Sequence, residues 1–575
     1  MNNKSANRQM HKQSQHCLKP VYAAVLLAFA VQTAQANPVG GNVVNGQANF
    51  STTGNTLTVT NTPGTIINWQ GFSINTNETT RFAQQSASSA VLNRVVGSDP
   101  SSILGTLQSN GRVFLINPNG ILFGAGAVVD VAGLVASTLN LSNADFLAGN
   151  SHYTQVPGAA NISSAGSITA QGDGQQGGQI FLIAPNVENT GVITAPNGEI
   201  LLAAGYSVDL VNTNNPNLRV SITAPAGDAT NVGQLIASSG SLGLFGTVVR
   251  NSGVVNADSA TMQGGKIVFK ASQLAEVGGT VSATGTTGGT VQVLGNQVAV
   301  LGNIDASGTN GGGTVLIGGD AHGANPDVPN AQFTYIDSNA IIKADATQNG
   351  NGGKVVVWAD KVTQFNGNIF ARGGAQSGNG GWVETSGKQT LGFAGIVDTA
   401  AAHGKTGSLL LDPTDITISL LAQTNTMTWN GLTFTFADTA TGGVATSNLN
   451  VAILTTQLGS SNVIVDTTSV NGLGVGDITV MDSIAWTSVN SLTLNATGAG
   501  AIVVNPNTSF LTAVSPLSIN ASGGGSLVMK TAGGSISIFA NAGVNITGGG
   551  SFTANAGGAT GAIAINSAIN TGAGA

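Results

Sequence analysis

Apolar and polar residues alternate in short runs along most of the chain, and from residue 264 onward the runs repeat. Gly264-Gly265-Lys-Ile-Val-Phe is followed by Gly288-Gly289-Thr-Val-Gln-Val and Gly312-Gly313-Thr-Val-Leu-Ile, so the paired glycines advance by 24 residues each time. A second phrase keeps the step, with Gly278-Gly279-Thr-Val-Ser-Ala answered by Gly302-Asn303-Ile-Asp-Ala. The first phrase returns with looser spacing at Gly352-Gly353-Lys-Val-Val-Val and Gly380-Gly381-Trp-Val-Glu, which implies insertions. Period-two alternation of β-branched residues with Thr, Ser, Gln and Asn predicts strands, and the Gly/Asn clusters supply corners. Two strands and two turns are expected per period, and helices are expected to be few.

Strands on a fixed step joined by tight corners predict an all-β chain wound as a right-handed parallel β-helix, with an amino-terminal β cap. One coil cannot bury its own inner face, so stability has to come from stacking coils about 4.8 Å apart. A uniform step of roughly 22 to 24 residues would give about 23 to 25 coils and a rod on the order of 110 Å. Residues 37 to about 150 repeat less and carry Trp69, Phe72, Arg94 and Phe114, as a cap would.

Composition supports a solenoid. Of 575 residues 82 are glycine, only 7% are charged and 41% are hydrophobic, which excludes highly charged disorder. Residues 1–36 hold Lys4, Arg8, Lys12 and Lys19, no acid, an apolar run from Tyr22 to Val31 and the small-x-small triplet Ala34-Gln35-Ala36. This pattern predicts a signal peptide cleaved between Ala36 and Asn37. Four of the 18 basic residues would leave with it, so 14 face 25 acidic ones, a net of −11. Such a surface disfavours nucleic acid. Cys17 would leave too, and the mature chain would hold no thiol. No integral membrane segment is expected in the mature chain.

The segment Asn117-Pro118-Asn119-Gly120 lies between two apolar strands and by itself reads as a turn. Around it stand Ile67-Asn-Trp69-Gln-Gly-Phe72, Val91-Leu-Asn93-Arg94-Val95, Asp99-Pro-Ser-Ser-Ile-Leu-Gly105, Gly133-Leu-Val-Ala-Ser137 and Ala144-Asp-Phe-Leu147. A further Asn-Pro-Asn-Leu spans Asn215, Pro216, Asn217 and Leu218. Residues 42 to 210 closely resemble the secretion domain of two-partner secretion exoproteins, the filamentous haemagglutinin family. Gly-Asn-Gly-Gly-Trp-Val-Glu-Thr-Ser at 378–386 and Leu409-Leu-Leu-Asp412-Pro413 are similar to large members of it.

The resemblance implies a secreted or cell-surface protein of a Gram-negative bacterium. Export would pass through the periplasm and a partner outer-membrane barrel transporter with periplasmic docking domains. It ties Asn117, Pro118, Asn119, Gly120, Asn215, Pro216, Asn217 and Leu218 to secretion, through recognition or through folding of the cap. It implies an adhesin that binds a host surface receptor or glycan; the alternatives are a haem-carrier-binding exoprotein and a β-helical polysaccharide-degrading enzyme. The expected organisation is a signal peptide at 1–36, a secretion domain with cap at 37–250, repeats of about 24 residues at 251–415 and low-charge β-rich repeats at 416–575. The last region has only Asp438, Asp466, Asp477, Asp482 and Lys530 as charges, and its end at Ala575 reads as a truncated product or a partial sequence.

Catalytic chemistry is not expected. His152, His322 and His403 lie far apart without metal-ligand spacing, so neither metal nor cofactor is predicted. Gly318-Gly319-Asp320 does not follow the calcium-binding nonapeptide pattern. Asp305, Asp320, Asp327, Asp345 and Asp360 supply carboxylates in number only, and solvated turns account for them equally well.

Overall fold

The computed structural model describes residues 37–211, 219–223, 227–260, 262–422, 427–431, 433–436, 447–468, 474–506 and 516–572. The 1–36 segment and the Asn215 to Leu218 motif lie outside them.

The described chain is a parallel β-helix. Identical positions of successive coils fall into vertical columns, and the first face shows this best. Val91 pairs with Val113, Val113 with Leu134, Leu134 with Ile180 and Ile180 with Ile200. The column continues through Leu242, Ile267, Val291, Val315, Val355, Val383, Leu409, Val463 and Leu492 to Leu527. All these side chains are buried, and each such burial contributes about 1.5–3 kcal/mol. The predicted 24-residue step is the spacing of Ile267, Val291 and Val315.

Each regular coil has three strands rather than the two expected. In one coil these are Thr290–Leu294, Gln297–Val300 and Asn303–Asp305. The corner between the first two is only Gly295 and Asn296, too slight to stand out in an alternating sequence. The third strands stack into a fourteen-stranded sheet that ends at Ile396–Asp398. The coil count expected from a uniform step is too high, because column steps stretch to 40 residues between Val315 and Val355 and to 54 between Leu409 and Val463. The extra residues leave at corners. The strand Ser241–Asn251 runs through residue 250 and pairs with Lys266–Val277.

The second face carries polar ladders. Asn189 Nδ2 donates to Asn231 Oδ1 at 2.9 Å, and Asn231 Nδ2 to Asn251 Oδ1 at 2.8 Å. Stacking on the 4.8 Å repeat lets identical amides satisfy one another in a dry interior. One coil later the position is Val277, and the column becomes apolar, running through Val300 and Ile336 to the stacked rings of Phe365 and Phe393.

The amino end is closed by antiparallel pairing, as a solenoid edge requires. Asn42–Asn45 runs against Thr65–Trp69, and Ala48–Thr53 against Thr56–Asn61. Beneath them Phe50, Trp69, Phe72 and Phe82 form a chain of ring contacts with centroids 5.5, 5.8 and 6.4 Å apart. Gly41 permits this closure, because a Cβ there would lie 2.8 Å from the Trp69 ring.

A helix stands where continued β alternation was expected. Val451–Ser460 is capped by the Asn450 side chain and buries Val451, Leu454 and Leu458. It lies against the last strand of the fourteen-stranded sheet. Gln457 Oε1 accepts from Val397 N at 2.8 Å, Gln457 Nε2 donates to Gly395 O at 3.2 Å, and Ser460 Oγ donates to Val397 O at 2.9 Å. These side chains satisfy an edge that would otherwise remain open.

Candidate functional site

The Asn117-Pro118-Asn119-Gly120 turn joins Arg112–Ile116 of the first face to Ile121–Phe123 of the second. Asn117 is fully buried. Its Nδ2 donates to Asp99 O and to Ser101 Oγ, both at 3.0 Å, in the preceding coil. Its Oδ1 accepts from Asn119 N at 3.0 Å and Asn119 Nδ2 at 3.2 Å. Asn119 Nδ2 also donates to Gly97 O at 2.9 Å. On the other side, Asn117 N donates to Ser137 O at 2.9 Å, and Pro118 O accepts from Ala160 N at 2.9 Å. Gly120 has φ +116°, a backbone state that side chains disfavour. The motif thus ties its own coil to the coils on either side, and its polar atoms turn inward.

Several other residues of the resemblance meet around this turn. Trp69 Nε1 donates to Asn93 Oδ1 at 2.9 Å, and Asn93 Nδ2 donates to Phe114 O at 3.2 Å. Arg94 reaches out to Leu141 O at 2.6 Å and Asn143 Oδ1 at 2.8 Å, securing the start of the short helix Asn143–Ala148. Phe146 from that helix packs edge-on against Phe114, centroids 5.2 Å apart. An antiparallel sheet of Asn140–Leu141, Ser151–Thr154, Ser207–Val211 and Arg219–Thr223 lies outside the coils. Its side chains, with Tyr153, Val208 and Leu210, cover Phe114, Val135, Phe181 and Leu201 on the outer surface of the first face. No sequence period announces this layer, because it is an insertion between coils.

Titratable groups gather at a second place, where residues noted separately in the sequence, His322, Asp412, Asp466 and the Glu384 of the 378–386 segment, come together. Glu384 points out of the first face yet is completely buried. Its two oxygens accept from the His322 backbone N–H at 3.1 and 3.2 Å. The His322 ring Nδ1 lies 3.6 Å from Asp412 Oδ2 and 4.0 Å from Glu384 Oε1, and Asp466 completes the group by its field. His322 arrives on the 318–332 insertion, whose Val328 packs with Leu294, Leu316, Val356 and Trp358. Among the five aspartates of the sequence reading, Asp345 pairs with Arg372 at 2.7 Å, Asp320 pairs with Lys354, and Asp360 accepts from Trp358 Nε1 at 3.1 Å.

Burial raises the Glu384 carboxyl to about 7, opposed by His322 and assisted by Asp412. Burial and Asp412 raise Asp466 to about 6. His322 is raised by its bond to Asp412, against desolvation. All three folded-state values exceed the unfolded ones. Their stabilisation is therefore complete below about pH 4 and lost as pH rises through about 7. Glu384→Gln is expected to slow amide exchange in the 318–332 insertion at pH 8, by roughly 2–3 kcal/mol of local opening free energy, and to leave it unchanged at pH 4. Equal exchange of both proteins at pH 8 would show that the carboxylate carries no cost.

Among the described residues no helix is long and apolar enough to cross a membrane, and no group of three or more His, Cys, Asp or Glu could hold a metal ion.

A β-helix with an antiparallel cap, an inward Asn-Pro-Asn-Gly turn and an outer antiparallel layer defines a secretion domain of an exported solenoid. The family model described as the TPS secretion domain matches residues 34–293. The crystal structure of the HMW1 secretion domain from Haemophilus influenzae superposes with a TM-score of 0.59 at 35% identity, covering 64% of this chain and 99% of that one. A heme/hemopexin-binding protein of Haemophilus influenzae (strain ATCC 51907 / DSM 11121 / KW20 / Rd) is 37% identical over 174 residues, 30% of this chain and 19% of the relative. Another heme/hemopexin-binding protein of Haemophilus influenzae is 41% identical over 75 residues, 13% of this chain and 8% of the relative. The chain belongs to the two-partner secretion exoprotein family. It is a secreted protein that passes the periplasm and outer membrane of a Gram-negative cell. The matches span at most about a fifth of the curated relatives' length.

Proposed function

We propose that this protein is a surface-exposed adhesin of the filamentous haemagglutinin type, exported by a partner outer-membrane barrel with periplasmic docking domains. The observation that carries the export reading is the match of residues 34–293 to the secretion domain, with its motif built into the early coils. Asn117, Pro118, Asn119 and Gly120 act through folding: their polar atoms are spent on neighbouring coils, and the turn holds the early coils together. Asn215, Pro216, Asn217 and Leu218 share that secretion role by resemblance. What supports adhesion to a host receptor or glycan is an architecture in which insertions such as 318–332 emerge at corners of a solenoid that carries little charge.

A second reading, capture of a haem carrier, is favoured by the names of the two Haemophilus influenzae relatives. An enzyme acting on polysaccharide ranks below both. The test is co-expression with and without a partner outer-membrane barrel transporter, followed by a binding screen of the released protein. Release only with the barrel, and binding to glycans or matrix proteins, is the expected result. Binding to haem carriers alone would favour the second reading, and fresh reducing or unsaturated ends on a polysaccharide would overturn both.

A further inference from the structure

Residue 37 is held in place like a terminus. Its backbone nitrogen donates to Glu78 Oε2 at 3.0 Å, and the same oxygen accepts from Asn75 N at 2.9 Å. The Asn37 side chain is clasped too: Oδ1 accepts from Thr80 Oγ1 at 3.0 Å, and Nδ2 donates to Asn55 O at 3.3 Å. Asn37 adopts φ +50°, a conformation asparagine tolerates better than most side chains. Two residues on, Val39 bonds to Gly71 and Gln70 and starts the antiparallel cap. Among the described residues, none of the ion pairs gives Glu78 a basic side chain.

From this geometry we infer that Glu78 is the binding site for the α-ammonium group created at Asn37 when the signal peptide is removed. The inference rests on cleavage after Ala36. In that step water adds across the Ala36–Asn37 amide under a peptidase: hydroxyl goes to the Ala36 carbonyl carbon, and the nitrogen leaves as an amine that takes up protons. Before cleavage Asn37 offers Glu78 one neutral N–H. After cleavage it offers a cation with three donors, and a charge-assisted hydrogen bond is roughly twice as strong as a neutral one. Removal of the signal peptide therefore tightens the contact between residue 37 and the Thr79–Ala83 strand, seating the cap on coils that have yet to stack. Processing and the first folding step become coupled.

The test uses full-length mature protein collected after export, wild type and Glu78→Gln, a substitution that retains an oxygen for the Asn75 N–H. Mass spectrometry identifies the first residue. A brief acylation at pH 7 then measures the reactivity of its α-amine against that of the lysines. Pairing with a carboxylate holds the amine protonated, so Asn37 should be acylated about tenfold faster in the variant, the change expected for one pKa unit. Should the variant misfold, the pH profile of acylation in wild type alone decides, with a midpoint above the ordinary amine value of about 8 expected. A first residue other than Asn37 overturns the cleavage, and the pair with it. Asn37 found first but acylated equally in both proteins, or with an ordinary midpoint, overturns the pair alone.

Discussion

Val113→Asp should abolish folding of the early coils and reduce release of the protein from cells at least tenfold. Val113 is fully buried between Val91 and Leu134 in the inner column of the first face. A carboxylate there would lie in the apolar core, and an unpaired buried charge costs several kcal/mol even after relaxation. Each coil is stabilised chiefly by its neighbours, so loss of one rung weakens both adjoining contacts. Pulse–chase secretion and limited proteolysis of the retained chain would measure the two effects together. Outside the inner membrane there is no nucleotide supply, and stacking of emerged coils is an available source of outward bias. Abolished folding with unchanged export kinetics would remove that source.

Asn117→Ala is expected to cost about 3 kcal/mol and to lower export in proportion. It strips partners from Asp99 O, Ser101 Oγ and Asn119 N in one change, and each buried group left without a partner costs about 1–3 kcal/mol. Pro118→Ala provides the contrast, because Pro118 is only half-buried and its side chain takes no part in that network. Its export should remain within about twofold of wild type, since a turn proline adds only about 0.4–1 kcal/mol. Thermal unfolding and secretion assays on both variants decide the matter. Unchanged stability of the Asn117 variant combined with lost export would point to direct recognition by the transporter.

The solenoid was legible because its cause is local and repeated. Val291 and Val315 sit on a 24-residue step with glycine pairs before them, and nothing but stacked coils produces that pattern over a long stretch. The cap could be read from its aromatic residues, and the secretion motif from Asn117 to Gly120. What escaped is what depends on distant residues meeting. Glu384 and His322 are 62 residues apart and become neighbours only because an insertion folds back over the outer face. Glu78 has no distinguishing context until residue 37 reaches it. The helix Val451–Ser460 lies in a region expected only to be β-rich; Val451-Ala-Ile-Leu454 suits either state, and the edge of the sheet it covers decides between them.

That helix has a mechanical consequence. Among the described residues the third-face ladder stops at Ile396–Asp398 and the second-face ladder at Thr390–Phe393, while only the first carries its rungs onward, from Ser408–Leu411 to Asn462–Thr467. At this level strand pairing passes through the first face alone, and the other faces are joined by the side chains of Gln457, Ser460 and Ser447 over an apolar core that runs through both sides. The coils before and after the helix thus share a core but exchange backbone rungs on one face only, so a change of fold length beyond it leaves the pairing of the amino-terminal secretion domain untouched.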